Sequence, residues 1–213
     1  MDICFIPGYA CRGSIFDAVL KDFESAFAVD WPLEQLSQFK SHKDFCDWIC
    51  AHYEKELQGC KALVGHSLGG GLAFYLSMRP QFKNVQVVLI DYFLNMPPPF
   101  FRNYCSEFTS PEILDAITDM MAKTKPFFNP EVLQSFVEYT PQLLVEREQL
   151  NGKKLKAIYG MRSSEDTSEV EKELVLPEEM KALLELHFIP KAAHFPTVER
   201  PQAFAKLLAQ ILA

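Results

Sequence analysis

Long apolar runs are missing from these 213 residues: none approaches the roughly 20 residues that a bilayer-spanning helix needs. Positive charge is short as well. Twenty-one lysines and arginines face 28 aspartates and glutamates, for a net charge of −7. That balance argues against nucleic acid and against an anionic membrane surface, both of which demand a basic face. No P-loop and no dinucleotide fingerprint is present. The six cysteines (Cys4, Cys11, Cys46, Cys50, Cys60, Cys105) form no CxxC pair and lie near no histidine at zinc spacing. Cys46 and Cys50, four apart on a predicted helix, are the one arrangement that could suggest a metal pair. Buried thiols in a reducing compartment are the plainer expectation, and with them a cytoplasmic location. No metal or cofactor is expected. The opening Met1-Asp2-Ile3-Cys4 is acidic and runs into a predicted strand, so no secretory signal is expected. Repeats, low-complexity tracts and linkers are absent, and the length suits one domain.

What is present alternates between strand and helix signals, the pattern of a mostly parallel sheet covered by helices. Strands are predicted at residues 3–6, 27–29, 62–64, 85–90, 155–159 and 186–189. Ser14 is expected to cap a helix carrying Phe16, Val19, Leu20 and Phe23 on one face. Ser41 and Asp44 form a predicted capping box before Phe45, Trp48, Ile49 and Tyr53. A last amphipathic helix starts at Pro201 and is expected to bury Phe204, Leu207, Leu208 and Ile211. The stretch 95–150 shows no strand. Ser110-Pro111, Asn129-Pro130 and Thr140-Pro141 each set a capping side chain before a proline suited to the first helical position. Its residues Phe100, Phe101, Phe108, Met120, Met121, Phe127, Phe128 and Phe136 either pack helices on the core or line the underside of a lid. The expected division is therefore a core of 1–94 and 151–213 with a helical lid inserted at 95–150.

Glycine is scarce, nine in all, yet four fall within residues 65–71. Gly65-His66-Ser67-Leu68-Gly69 follows a short apolar strand and opens a helix, which is G-x-S-x-G in the setting of a nucleophile elbow. The turn holds the serine in a strained conformation, so its neighbours two residues away must lack side chains. The helix N-terminus adds partial positive charge where an oxyanion would form. A bare match occurs by chance, and the bland reading is a glycine-rich turn with an idle serine. The strand-to-helix context makes Ser67 a candidate nucleophile, which then needs a base. His42 and His52 belong to an early helix, His66 is expected to point away from the serine, and His187 begins the last strand. His194 follows that strand, in Lys191-Ala192-Ala193-His194-Phe195-Pro196, where it can reach the carboxyl edge of the sheet. A lone histidine would ordinarily be structural; with the elbow in place, His194 is the candidate base.

Ile6-Pro7-Gly8-Tyr9, the elbow, and His194-Phe195-Pro196-Thr197-Val198-Glu199-Arg200-Pro201 with Phe204 together resemble the α/β-hydrolase superfamily over essentially the whole chain. It departs from that family at the front, where the usual first two strands are missing. The resemblance implies an oxyanion hole made of the backbone N–H groups of Tyr9 and Leu68. It also implies an acid after the penultimate strand, but Tyr159-Gly160-Met161-Arg162-Ser163-Ser164-Glu165-Asp166 has serine at the expected place, leaving Asp166 as a displaced candidate. The other candidate is Asp91, after the strong strand 85–90. Ile90-Asp91-Tyr92-Phe93-Leu94 with Met96-Pro97-Pro98-Pro99-Phe100 is similar to the matching segment of cofactor-free dioxygenases that cleave quinolone rings, whose acid lies at that position. Either aspartate could also be plain: a strand-end cap for Asp91, a solvated loop residue for Asp166. The leading expectation is hydrolysis of a carboxylic ester or thioester of a small hydrophobic substrate, through an acyl-enzyme. The alternatives are a cofactor-free dioxygenase, which Leu68 disfavours because a polar neighbour is expected there, and a non-catalytic ligand-binding member of the fold.

Overall fold

The computed structural model describes residues 2–93, 97–135, 155–176 and 178–213. Six strands form one sheet in the order β2-β1-β3-β4-β5-β6, and every pairing is parallel. They are β1 (Ile3–Ile6), β2 (Ala26–Ala28), β3 (Ala62–His66), β4 (Gln86–Ile90), β5 (Leu155–Gly160) and β6 (Leu184–Ile189). The central strands are buried on both faces, so they read as continuous apolar runs. Successive residues nevertheless enter opposite cores. Cys4, Ile6, Leu63, Val87 and Leu89 face one apolar layer, and Ile3, Phe5, Val64, Val88 and Ile90 face the other.

The first layer is filled by α3 (His42–His52) and α5 (Leu68–Ser77), the second by α1 (Asp17–Leu20), α9 (Pro196–Glu199) and α10 (Pro201–Leu212). Between them in the chain lie α2 (Leu33–Leu36), α4 (Glu54–Leu57), α6 (Pro111–Thr124), α7 (Thr167–Glu173) and α8 (Glu178–Lys181). The Ser41–Asp44 capping box closes as expected, and Ser110 caps α6 by accepting from the Ile113 N–H. The helix expected from Ser14 is different. A 3₁₀ turn over Gly13–Phe16 precedes a single α turn, and Ser14 lies inside the former rather than at a cap. Gly13 explains the tight start, because a Cβ there would come within 2.8 Å of the Val29 carbonyl. On α10, Phe204, Leu208 and Ile211 are buried while Leu207 is only half-buried.

Residues 97–135, between β4 and β5, are helical where they are regular. Their apolar side chains divide between the two layers: Phe101 and Phe128 join the first, and Ile117 with Met120 and Met121 packs on the second. Phe108 and Phe127 stay exposed. Phe136 and Thr140-Pro141 lie outside the described residues. No helix among the described residues is long and apolar enough to cross a membrane.

Candidate active site

Strand order reverses between β1 and β3, since β1 leads outward to β2 while β3 leads the other way. The loops at their carboxyl ends therefore diverge and leave a crevice. Into it come Pro7-Gly8-Tyr9 from β1 and Ser67 from β3. Five loops that follow strands on this edge each contain a non-glycine residue at positive φ: Ala10, Ser67, Asp91, Arg162 and Lys191. Such backbone costs of order 1–3 kcal/mol per residue and persists where the surroundings over-determine it. Among the described non-glycine residues only Val175, which precedes β6, shares this conformation away from that edge.

Ser67 sits at φ 52°, ψ −124°, between β3 and the first turn of α5. Its N–H donates to the Ile90 carbonyl at 2.8 Å and its carbonyl accepts from Gly70 at 2.7 Å, which pins the turn from both sides. The two flanking glycines are obligatory. A Cβ on Gly65 would lie 2.1 Å from the Gly69 carbonyl oxygen, and one on Gly69 would lie 2.1 Å from that of Ile6. A Cβ on Gly8 would stand 3.0 Å from the Ser67 Cβ, so the Gly8-Tyr9 loop lies directly against the serine side chain. Leu68 is the first residue of α5, and N–H groups in a first turn have no partner within the helix. Tyr9 packs its ring on Phe128 at 4.8 Å.

His194 Nδ1 lies 2.7 Å from Asp91 Oδ2. Asp91 is buried and His194 half-buried. Asp166 is elsewhere: it caps α7 by accepting from the Ser168 N–H, with its side chain in solvent. The geometry thus unites His194 with Asp91 and not with Asp166. Burial alone would push the Asp91 carboxyl up; the hydrogen bond from His194 and the Arg162 guanidinium outweigh it and hold the carboxyl below its usual range.

His66 is fully buried beside His194, with ring centroids 4.6 Å apart, and its Nε2–H donates to the His194 carbonyl at 2.7 Å. Burial, with His194 adding to it, pushes the His66 imidazole down to about 3, so the ring is neutral. Its Nδ1 has no hydrogen-bond partner.

Two further side chains matter to which the sequence attached no role. Glu199, buried, accepts from the N–H groups of Ala193 at 2.8 Å, Phe195 at 3.2 Å and Ser106 at 2.8 Å, and from the Thr109 hydroxyl. One carboxylate thereby fastens the His194 loop to residues 106–109. His194 N–H also donates to the Tyr104 carbonyl at 3.1 Å, and the exposed Tyr104 ring stands edge-on to the imidazole. Arg162 pairs with Asp91 through both terminal nitrogens at 3.0 Å. Glu199 stood inside a motif that could have singled it out. Arg162 gave no signal, because an arginine in an acidic loop reads as solvated.

A sequence model described as the alpha/beta hydrolase family matches residues 5–207. The chain belongs to the α/β hydrolase family. None of the curated proteins matches it in sequence. An esterase from Thermogutta terrifontis superimposes with a TM-score of 0.71 at 16% identity, over 99% of this chain and 88% of that one. MenH from S. aureus gives 0.70 at 14% identity, over 99% and 92%. A bromoperoxidase from Bacillus anthracis gives 0.71 at 14% identity, over 99% and 91%. At such identities the likeness to these three structures shows a shared fold alone.

Proposed function

We propose that this α/β hydrolase cleaves a carboxylic ester or thioester of a hydrophobic substrate through an acyl-enzyme on Ser67. The observation that carries the reading is the bond between His194 Nδ1 and the buried Asp91 carboxylate, on the same sheet edge as a serine held in a strained elbow. With Nδ1 committed to Asp91, Nε2 is the nitrogen left to take the Ser67 proton and later to hand it to the leaving group. Asp91 holds the tautomer and stabilises the imidazolium. The N–H groups of Tyr9 and Leu68 would receive the oxyanion; losing one such donor typically costs about 3–4 kcal/mol of transition-state stabilisation. Support for Tyr9 comes from the Gly8 contact with Ser67, and for Leu68 from its place at the start of α5. The stretch 95–150 would act as the lid, with Tyr9, Tyr104 and Phe128 offering aromatic surface to an acyl or ring group. Six free thiols suit a cytoplasmic setting.

The test is a fluorophosphonate probe on wild type and Ser67→Ala, followed by esters and thioesters of graded acyl length. Labelling lost in Ser67→Ala, together with turnover of apolar esters, is the expected result. A wild-type protein that stays unlabelled and consumes oxygen with hydroxylated heteroaromatics would replace this reading with the cofactor-free dioxygenase.

A further inference from the structure

Asp91 has two basic partners, and only His194 is needed for the chemistry proposed above. The second is Arg162, 4% exposed, from the loop after β5. One terminal nitrogen donates to Asp91 Oδ1 at 3.0 Å and to the Gly160 carbonyl at 2.7 Å. The other donates to Asp91 Oδ2 at 3.0 Å and to the Phe101 carbonyl at 3.1 Å. Both terminal nitrogens are thus fully engaged, while Nε has no partner. The Phe101 ring covers the guanidinium carbon at 4.5 Å. The arginine backbone is fixed too: its N–H donates to the Ala192 carbonyl at 2.7 Å, and Gly160 allows the approach, since a Cβ there would lie 2.2 Å from the Ala193 carbonyl oxygen. Arg162 therefore joins the acid loop, the histidine loop and residue 101 in one buried network.

We infer that Arg162 is a positioning residue of this triad, which locks the Asp91 carboxylate in plane for His194 and offsets its charge. The inference rests on the triad reading above. With Arg162 present, Asp91 and the arginine cancel, so protonating His194 brings the group of three from neutral to one net positive charge. Without it, the same protonation would bring Asp91 and His194 from one negative charge to neutral, which is the easier step in a buried site. The guanidinium thus opposes the positive charge that His194 would gain on taking the Ser67 proton, and removing it is expected to move the pH dependence of labelling. The planar fork matters apart from its charge, because a lysine could meet only one carboxylate oxygen at a time.

The experiment compares wild type, Arg162→Gln and Arg162→Lys by the rate of fluorophosphonate labelling across pH 4.5 to 9. In Arg162→Gln the low-pH edge is expected to move up by about one pH unit. In Arg162→Lys it stays near that of wild type, while the plateau rate falls at least threefold from lost alignment. A lysine plateau equal to wild type overturns the positioning role. Superimposed edges in Arg162→Gln with only a lower plateau or melting temperature would mean that Arg162 merely braces the fold. The titration of the His194 imidazole by ¹⁵N NMR, in a Ser67→Ala background, reads the same charge effect without any reaction. If wild type never labels yet this titration moves up on Arg162→Gln, the hydrolase reading fails and the arginine inference stands. If Arg162→Gln does not fold, Arg162→Lys with its plateau and NMR titration decides; a lysine titration far above that of wild type would overturn the charge argument.

Discussion

Asp47 and Asp91 each stand between two basic side chains, one half-exposed and the other buried. Asp47, on α3, bonds Lys43 and Arg79 with 47% of its side chain exposed. Asp91 bonds Arg162 and His194 with none of its side chain exposed. In both places the partners hold the carboxyl below its usual range. Around Asp47, water screens the charges and would replace a lost partner, so the trio is a solvated helix face. Around Asp91 no water substitutes, every partner must be supplied by the fold, and the backbone is strained to bring them together. An aspartate with two basic partners therefore makes a solvated helix face in one region and part of the proposed reactive centre in the other. Dielectric surroundings decide which.

The contrast breaks most sharply at the buried aspartate. Asp91→Asn is expected to slow fluorophosphonate labelling by about 10⁴-fold, because the imidazole loses its tautomer and orientation. It also leaves Arg162 as an uncompensated buried charge, so a destabilisation of about 3–5 kcal/mol should show in urea melts. Asp166→Asn, at the exposed cap of α7, should leave labelling within twofold of wild type; a collapse there would reverse the choice of acid.

A smaller effect should separate the two regions by pH. Between about pH 3 and 6.5 the unfolded chain binds a proton on His66 that the folded chain does not. Stability therefore falls as pH is lowered through that window, by up to about 1.4 kcal/mol per pH unit. Urea melts at pH 7 and 5 should show a shallower loss in His66→Gln, and an unchanged slope would mean that the ring is not held neutral. Glu199→Gln keeps the shape of the carboxylate but turns an amide toward N–H donors; a loss of about 2–3 kcal/mol is expected by the same melts. Least of all, Asp47→Asn should shift the melting temperature by no more than about 2 °C, as exposed ion pairs do. A larger drop would mean that the surface trio carries stability after all.

Much of this was legible in the residues. Alternation of apolar strands with capped helices placed the parallel sheet, because strand burial and helix capping are written within a few positions of each other. The elbow was legible for the same reason: Gly65, Ser67 and Gly69 satisfy a local steric demand, and a strand and a helix flank them in the chain. His194 followed from its place after the last strand. Where local signals were weaker, the reading slipped, as at Ser14, where close packing of Gly13 against the Val29 carbonyl favours a 3₁₀ turn over a capped helix.

Other relations belong to the tertiary structure alone. Asp91 and His194 are 103 residues apart, and an aspartate follows each of two adjacent strands. Which one meets the imidazole depends on how the loops after β4, β5 and β6 pack. The same packing put the His66 ring beside His194, a contact between residues 128 apart in the chain. It also drew Arg162 into the core by surrounding it with Asp91 and two carbonyls, a neutralisation no local pattern announces. Local sterics wrote the serine elbow into the sequence; the proposed acid Asp91 and its counter-charge Arg162 come from loops distant in the chain, brought together only by tertiary packing.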